Sequence, residues 1–282
     1  MLKARIITAL VLFPLLLAAI FLLHGHYWAS LMFIIVLLGT TEWSRIASYS
    51  KLHSRIYLAL TASLGFLLLF FTEITSQSAN SASFWFLLVS LFFWLLIVPL
   101  WLSKGWQIHN PIVMGLVGWT VLIPTWLALV QLQSKSPVLL LALMAVVWIA
   151  DIAAYFSGKQ FGKHKLAPSI SPGKTWEGVA GAYLAVAIYA AGWLFYDRTL
   201  VTQFLGLESL SATFIIIVVW IMAYFSILGD LFESWMKRQA GLKDSGNLLP
   251  GHGGVLDRID ALTSTLPLIS FLLICLNLSA TP

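Results

Sequence analysis

The chain contains a single cysteine, Cys275, so no intramolecular disulfide can form, and its apolar setting is typical of a small buried hydrophobe. Charged residues are also scarce: they make up 10% of the 282 residues, whereas an ordinary soluble domain has roughly 25%. Hydrophobic residues make up 60%, and the mean hydropathy is +0.93. Because a soluble core cannot bury so much apolar surface, we expect the lipid bilayer to be the solvent of this chain.

No small-residue cleavage site follows the first apolar run, which extends from Ile6 to Leu23 behind Lys3 and Arg5. The run is about as long as a bilayer crossing and exceeds the ~7–15 apolar residues of a signal peptide. It is therefore predicted to be a retained first membrane helix.

Nine segments contain the ~20 mostly apolar residues that a spanning helix needs. Their unbroken runs differ from the alternating pattern of a β-barrel, and in lipid a helix satisfies its backbone groups internally. We therefore predict an all-α fold, a polytopic helical bundle of about nine transmembrane helices in one membrane domain over residues 1–282, with N-terminal spans in 1–135 and C-terminal spans in 136–282. The expected spans are 5–23, 27–47, 54–73, 83–102, 111–131, 136–157, 176–196, 211–229 and 262–279.

The basic residues are distributed unequally between the two ends of these spans. If the N-terminus is cytoplasmic, inner segments hold 14 of the 16 lysines and arginines, and outer segments hold only Lys135 and Arg198. This excess follows the positive-inside rule and predicts a cytoplasmic N-terminus and an outer C-terminus. The net charge of +5 then reflects membrane orientation, and we expect no nucleic-acid partner.

Two predicted inner loops, 158–175 and 230–261, are long and rich in glycine and charge, and we expect them to form an active site together. Asp151 lies inside the preceding span, close to its inner end, with Tyr155 one turn later. A carboxylate at such a depth costs roughly 2.5–3.5 kcal/mol, so it should face protein or a wet cavity. A simple helix–helix hydrogen bond is the alternative.

The sequence "SPGKT" at 171–175 is similar to the end of a phosphate-binding P-loop, but Pro168 stands where that motif requires its first glycine. Pro172 and Gly173 are expected to form a tight turn just before the next helix. Two interpretations stay open for the polar residues around that turn.

In the first interpretation, Ser171, Lys174 and Thr175 line an anion site at the helix N-terminus, where unsatisfied amides favour phosphate. In the second, Ser171 or Thr175 is simply the N-cap, and Glu177 complements the helix dipole.

A helix that continues beyond the eighth span places polar residues of the second loop on one face, with Gly241 ending it. Asp230, Glu233, Ser234 and Lys237 recur at i, i+3, i+4 and i+7. For Glu233 alone we expect a solvated charge on an interfacial helix.

The sequence "LPGHGGVLDRID" at 249–260 is the most polar stretch of the chain. Its glycines allow sharp turns and close approach to a ligand. Asp257 and Asp260 share a helix face and, with Asp230, form an oxygen-rich site suited to Mg²⁺. His252 could position a phosphate or move a proton. The side chains expected to neutralise phosphates are Lys237, Arg238, Lys243 and Arg258.

These residues make the chain resemble the bacterial phosphatidate cytidylyltransferases, the CDP-diacylglycerol synthases, over its full length. The family signature is matched by Ser234, Lys237, Arg238, Lys243, Asp244, His252, Gly253, Gly254, Asp257, Arg258 and Asp260. The resemblance implies that CTP and phosphatidate give CDP-diacylglycerol and pyrophosphate, in phospholipid biosynthesis at a cell inner membrane. It also implies Mg²⁺, a homodimer, metal ligation by Asp230 and Asp257, and weaker ligand candidates in Asp260 and Asp244. Whether a second cation binds stays open.

Two other functions remain open from the residues alone. Asp151 and Glu42, both inside predicted spans, are compatible with an ion-coupled transporter. A polyprenyl-phosphate sugar-phosphate transferase would also use Mg²⁺ and cytoplasmic aspartates. A liposome flux assay and the replacement of CTP by UDP-sugars separate these alternatives.

Overall fold

The computed structural model describes residues 2–72, 81–196 and 212–280, and the chain is helical over most of them. A two-stranded hairpin, β1 (Lys165–Ala167) and β2 (Ser171–Thr175), lies between α7 and α8. The predicted all-α bundle is confirmed, with this hairpin as its small departure. The helices are α1 (Leu2–Leu22), α2 (His26–Ile46), α3 (Lys51–Phe71), α4 (Ser81–Phe92), a π-helical turn (Phe93–Ile97), α5 (Val98–Lys104), α6 (Pro111–Lys135), α7 (Pro137–Phe161), α8 (Trp176–Tyr196), α9 (Ala212–Gln239) and α10 (Leu256–Ala280).

Eight of the nine predicted spans correspond to helices long and apolar enough to cross a membrane, and α1 contributes a shorter apolar stretch, Ile7–Leu22. The segment from α4 to α5 is one such span, Ala82–Lys104. Helix α9 continues to Gln239, as the one-face pattern predicts, and Gly241 follows with a φ of 69°. Arg198, part of the predicted charge asymmetry, lies outside the described residues.

Helix α6 is the centre of the bundle. In its most apolar stretch of 18 residues, 72% of the residues are buried, whereas the corresponding share in α8 is 22%. Tryptophan side chains fix α2 against it. The indole N–H groups of Trp28 and Trp43 donate to the carbonyls of Leu129 and Met114, at 3.1 and 2.8 Å. These bonds satisfy polar indole atoms that would otherwise be costly to bury in an apolar interior.

The C-terminal helices form the group that carries the polar segments. Helix α7 packs along α8, and α9 packs along both α8 and α10. In the hairpin between α7 and α8, Lys165 pairs with Thr175 and Ala167 with Ser171, and residues 168–170 form the turn. The predicted turn at Pro172 and Gly173 is therefore wrong: both lie in β2, where the edge of a two-stranded ribbon tolerates a proline that lacks an N–H.

Candidate active site

The C-terminal part of α9 presents an ion-paired face. Lys237 is 8% exposed, and its Nζ lies 2.6 Å from Glu233 Oε2 and 2.6 Å from Asp257 Oδ1. The expectation that Glu233 is solvated is wrong, because Glu233 is only 6% exposed. Helix α9 packs against α10 here instead of lying on a membrane surface, so the two carboxylates share one buried ammonium group.

Asp257, in the first turn of α10, organises the loop that precedes its own helix. Its Oδ2 accepts hydrogen bonds from the amide of Gly254 at 2.7 Å, and from the amide and hydroxyl of Ser245 at 2.9 and 3.0 Å. A Cβ on Gly253, whose φ is +81°, would come within 2.6 Å of the same oxygen. The glycines of this motif therefore let the backbone close over a carboxylate.

Lys174 brings the hairpin to α9. Its Nζ lies 2.6 Å from Asp230 Oδ2 and donates to the carbonyl of Ile227 at 3.4 Å. The other oxygen of Asp230 accepts from the Ser234 hydroxyl at 3.2 Å. Two polar segments that are far apart in the sequence thus meet through a single ion pair, as the sequence predicts.

The residues in and next to the hairpin have structural roles. The Thr175 hydroxyl accepts from the amide of Gly178 at 3.1 Å, so the capping interpretation is correct for Thr175. Glu177 pairs with His164, at 2.7 Å from the ring Nδ1. Ser171 lies at the opposite end of β2 from Thr175, paired with Ala167.

Two further carboxylates lie beside Asp230. Asp151 accepts a hydrogen bond from the Ser226 hydroxyl at 3.1 Å, so it makes the helix–helix bond that was the alternative to a site role. Asp260 accepts from the amide of Ala261 at 2.8 Å. Both are near enough to Asp230 for their charges to interact.

We call these residues the carboxylate–lysine cluster. It has five carboxylates and two lysine ammonium groups, and so favours an additional cation. Among the described residues no group of three or more His, Cys, Asp or Glu side chains has an arrangement that could hold a metal ion. Mg²⁺, however, is usually bound through one or two carboxylates together with substrate phosphates. The cluster consists of Asp151, Lys174, Asp230, Glu233, Lys237, Asp257 and Asp260.

The carboxylates differ in their remaining capacity for a cation. Each oxygen of Asp230 has one partner, the Ser234 hydroxyl or the Lys174 ammonium group, whereas each oxygen of Asp257 has at least two. Asp230 therefore has more unused lone pairs that could accept a cation than Asp257 has.

Other predicted site residues lie around the loop without joining the ion pairs of the described cluster. Arg238, Lys243, Asp244 and Arg258 are exposed, and Arg238 donates to the carbonyl of Leu242 at 3.2 Å. The amide of His252 donates to the Leu249 carbonyl at 2.8 Å. Its ring Nδ1 is buried without a hydrogen-bond partner, and so has capacity for a ligand.

Glu42 of α2 lies at the candidate site, although the sequence indicated it only as an ionisable residue inside a predicted span. It is 2% exposed and accepts hydrogen bonds from the amides of Val255 and Leu256, at the junction of α10 with residues 240–255, which we call the glycine loop. The Ser245 hydroxyl of this loop lies 3.0 Å from Oε2 of Glu42. Its position as an ionisable residue inside a span was a signal of function. The sequence alone did not reveal that its partners lie more than 200 residues away.

Comparison with known proteins identifies the family of the chain. Residues 3–276 match the model of the Cytidylyltransferase family. The chain is 44% identical over 281 residues to a phosphatidate cytidylyltransferase of Pseudomonas aeruginosa, covering 97% of each protein. It is 36% identical over 293 residues to a protein of the same name from Haemophilus influenzae, covering 96% of this chain and 98% of the relative. The chain belongs to the cytidylyltransferase family.

Proposed function

We propose that this protein transfers CMP from CTP to phosphatidate, giving CDP-diacylglycerol and pyrophosphate, as a step of phospholipid biosynthesis. The names of its full-length relatives support this reaction. The observation that carries it is the carboxylate–lysine cluster, in which Lys174 and Lys237 each lie 2.6 Å from an aspartate. These ammonium groups neutralise carboxylates that would hold a metal–nucleotide complex.

In the reaction, an oxygen of the phosphatidate phosphate attacks the α-phosphorus of CTP. A new P–O–P bond forms to the lipid, and the bond between the α-phosphorus and the bridging oxygen to the β-phosphorus breaks, so that pyrophosphate leaves. Phosphoryl-type transfer depends mainly on positioning and on charge neutralisation. The cluster supplies both, because its cations are fixed by ion pairs from α9, α10 and β2.

Asp230 and Asp257 would hold Mg²⁺, with Asp260 beside them. The cation, when bound, would neutralise phosphate charge and make the α-phosphorus more electrophilic. Lys237 and Lys174 would then exchange their carboxylate partners for oxygens of the triphosphate or of the lipid phosphate. The exposed Arg238, together with Lys243, Asp244 and Arg258, would form the outer binding surface.

The remaining glycine-loop residues have supporting roles in this proposal. Gly253 and Gly254 would let the loop backbone approach the phosphates, and Ser234 would orient Asp230 through its hydrogen bond. His252 would use its unpartnered Nδ1 to donate to, or accept a proton from, a phosphate. Ser171 and Thr175 would act through the hairpin that presents Lys174.

We place the site at the cytoplasmic face of the inner membrane. The cluster lies near the ends of apolar helices, in the inner part of α9 and the first turns of α10. CTP would enter from the aqueous side while the acyl chains of phosphatidate remain in the bilayer. Cysteine labelling from either side of sealed vesicles tests this orientation.

The homodimer implied by the family resemblance is a separate proposal. Light scattering of the protein in lipid micelles tests it, and a monomeric mass with full activity would refute it.

The division of the membrane domain at residue 135 also remains a prediction.

The transfer reaction itself is tested with purified protein in mixed lipid micelles and labelled CTP. We expect labelled CDP-lipid and an equal amount of pyrophosphate only when both phosphatidate and Mg²⁺ are present. UDP-sugars in place of CTP should give no lipid product. Absence of product from wild-type protein under these conditions, or product from UDP-sugars alone, would contradict the proposal.

A further inference from the structure

Glu42 caps a helix to which it does not belong. It lies on α2, and its Oε1 accepts from the amide of Val255 at 2.9 Å while Oε2 accepts from the amide of Leu256 at 2.8 Å. Leu256 is the first residue of α10. The first amides of a helix have no partner within the helix, so this carboxylate provides acceptors that α10 itself lacks.

The buried charge of Glu42 is compensated by this helix terminus. None of the salt bridges in the described part of the chain involves Glu42. The partial positive charge at the N-terminus of α10 and the amides of Val255 and Leu256 stabilise the carboxylate instead, and the single proton of the Ser245 hydroxyl is shared between Glu42 and Asp257. The position and direction of α10 are therefore linked to α2.

The glycine loop also packs directly against this carboxylate. A Cβ on Gly246 would lie 2.3 Å from Oε1, and a Cβ on Gly254 would lie 2.5 Å from Oε2. The hydroxyl of Ser245 is 3.0 Å from both Glu42 Oε2 and Asp257 Oδ2. The loop is thus held between two carboxylates, one from α2 and one from α10.

We propose that Glu42 is a positioning residue for cytidylyl transfer: it fixes the start of α10 and the glycine loop, and thereby places Asp257 and Asp260. This inference rests on the proposed function and extends it. In this proposal a residue of the N-terminal spans helps to position the aspartates, whereas the sequence predicted a site formed by the two polar loops of the C-terminal spans.

Replacement Glu42→Gln keeps the side-chain shape but has only one acceptor oxygen. Whichever way the side-chain amide is oriented, its NH₂ group faces the backbone N–H of Val255 or of Leu256, and that N–H loses its acceptor. A displacement of about 1 Å at a reacting centre can reduce the rate by about 100-fold. We expect kcat to fall by about 10- to 100-fold, with a smaller change in KM for phosphatidate.

A pair of substitutions tests the contact itself. Gly246→Ala should impair turnover because its methyl group collides with Glu42 Oε1. In the Glu42→Ala background that atom is missing, so adding Gly246→Ala should cause little further loss. Gly192→Ala, at a helical position with nothing within 4 Å, is the matched glycine control and should retain full activity.

Hydrogen exchange of residues 245–256 gives a result that does not depend on activity. We expect Glu42→Gln to accelerate exchange in this segment while α6 stays protected. Ser44→Ala serves as the control on α2, because the buried Ser44 hydroxyl donates to the carbonyl of Thr40 in its own helix.

Unchanged loop exchange and unchanged kcat in Glu42→Gln would overturn the positioning role, and so would fully additive effects of Glu42→Ala and Gly246→Ala. Faster loop exchange in a protein whose wild type makes no CDP-lipid would support the structural link and contradict the proposed function instead. If Glu42→Gln does not fold, the comparison of Gly246→Ala with Gly192→Ala still decides the question: equal activity of these two variants would refute the contact.

Discussion

The two polar segments that meet at the candidate site are held in different ways. The glycine loop is fixed at several points, by Glu42 and Asp257, whose oxygens accept from its backbone amides. The hairpin reaches the cluster through one ion pair, that of Lys174 with Asp230, and the neighbouring carboxylate Glu177, in the first turn of α8, pairs with the exposed His164. The loop is therefore held in a fixed conformation beside the candidate site, whereas the hairpin contributes one charged side chain, Lys174, to that site.

This difference implies that changes in the loop should mainly reduce kcat, whereas changes in the hairpin should mainly weaken substrate binding. Interactions that fix catalytic geometry act on the transition state, and a cation that binds substrate and transition state alike acts on KM.

The largest effect is expected for Asp257→Asn. The amide cannot accept at both oxygen positions, and it removes the negative charge opposite Lys237. We expect kcat to fall by about 100- to 1,000-fold, the scale seen when one electrostatic contact to a transition state is lost. Labelled-CTP assays measure this loss, and membrane extraction checks that the variant still inserts.

Glu177→Gln, in the first turn of α8 next to the hairpin, is the matched carboxylate-to-amide control and should change kcat by less than about 3-fold, because its carboxylate faces an exposed histidine. Equal effects of the two substitutions would remove the distinction between loop and hairpin.

An intermediate effect is expected for Lys174→Met, which leaves Asp230 without its ammonium partner. A charged hydrogen bond contributes about 1.5–3 kcal/mol, so KM for CTP should rise by about 10-fold with a smaller change in kcat. Lys165→Met, an exposed lysine of β1 in the same hairpin, is the control. If Lys174→Met lowers kcat without changing KM, the hairpin fixes the catalytic geometry, as the loop does, and does not mainly bind substrate.

The smallest effect is expected for Thr175→Val. Loss of this N-cap should lower the free energy of unfolding by about 1 kcal/mol, with little change in kcat or KM. Denaturation in lipid micelles measures the change. Thr120→Val, whose hydroxyl bonds within its own helix, provides the comparison. A 100-fold loss of activity in Thr175→Val would show that the threonine binds substrate.

The sequence predicted those features that depend on local pattern. Apolar runs located the spans, and spacing placed Asp230, Glu233 and Lys237 on one face of α9. The contacts between helices were not accessible in this way. The burial of Glu233, the extended conformation of Pro172 and the partners of Glu42 all depend on which elements pack together, and residue spacing carries no information about that.

The central claim is that Asp230 and Asp257 jointly hold a divalent cation with the nucleotide. Electron paramagnetic resonance of Mn²⁺, a paramagnetic substitute for Mg²⁺, measures this binding directly in the presence of CTP. We expect tight Mn²⁺ binding to wild-type protein and a loss of about 10-fold or more in affinity in both Asp230→Asn and Asp257→Asn. Mn²⁺ affinity that is unchanged in either variant would contradict the claim.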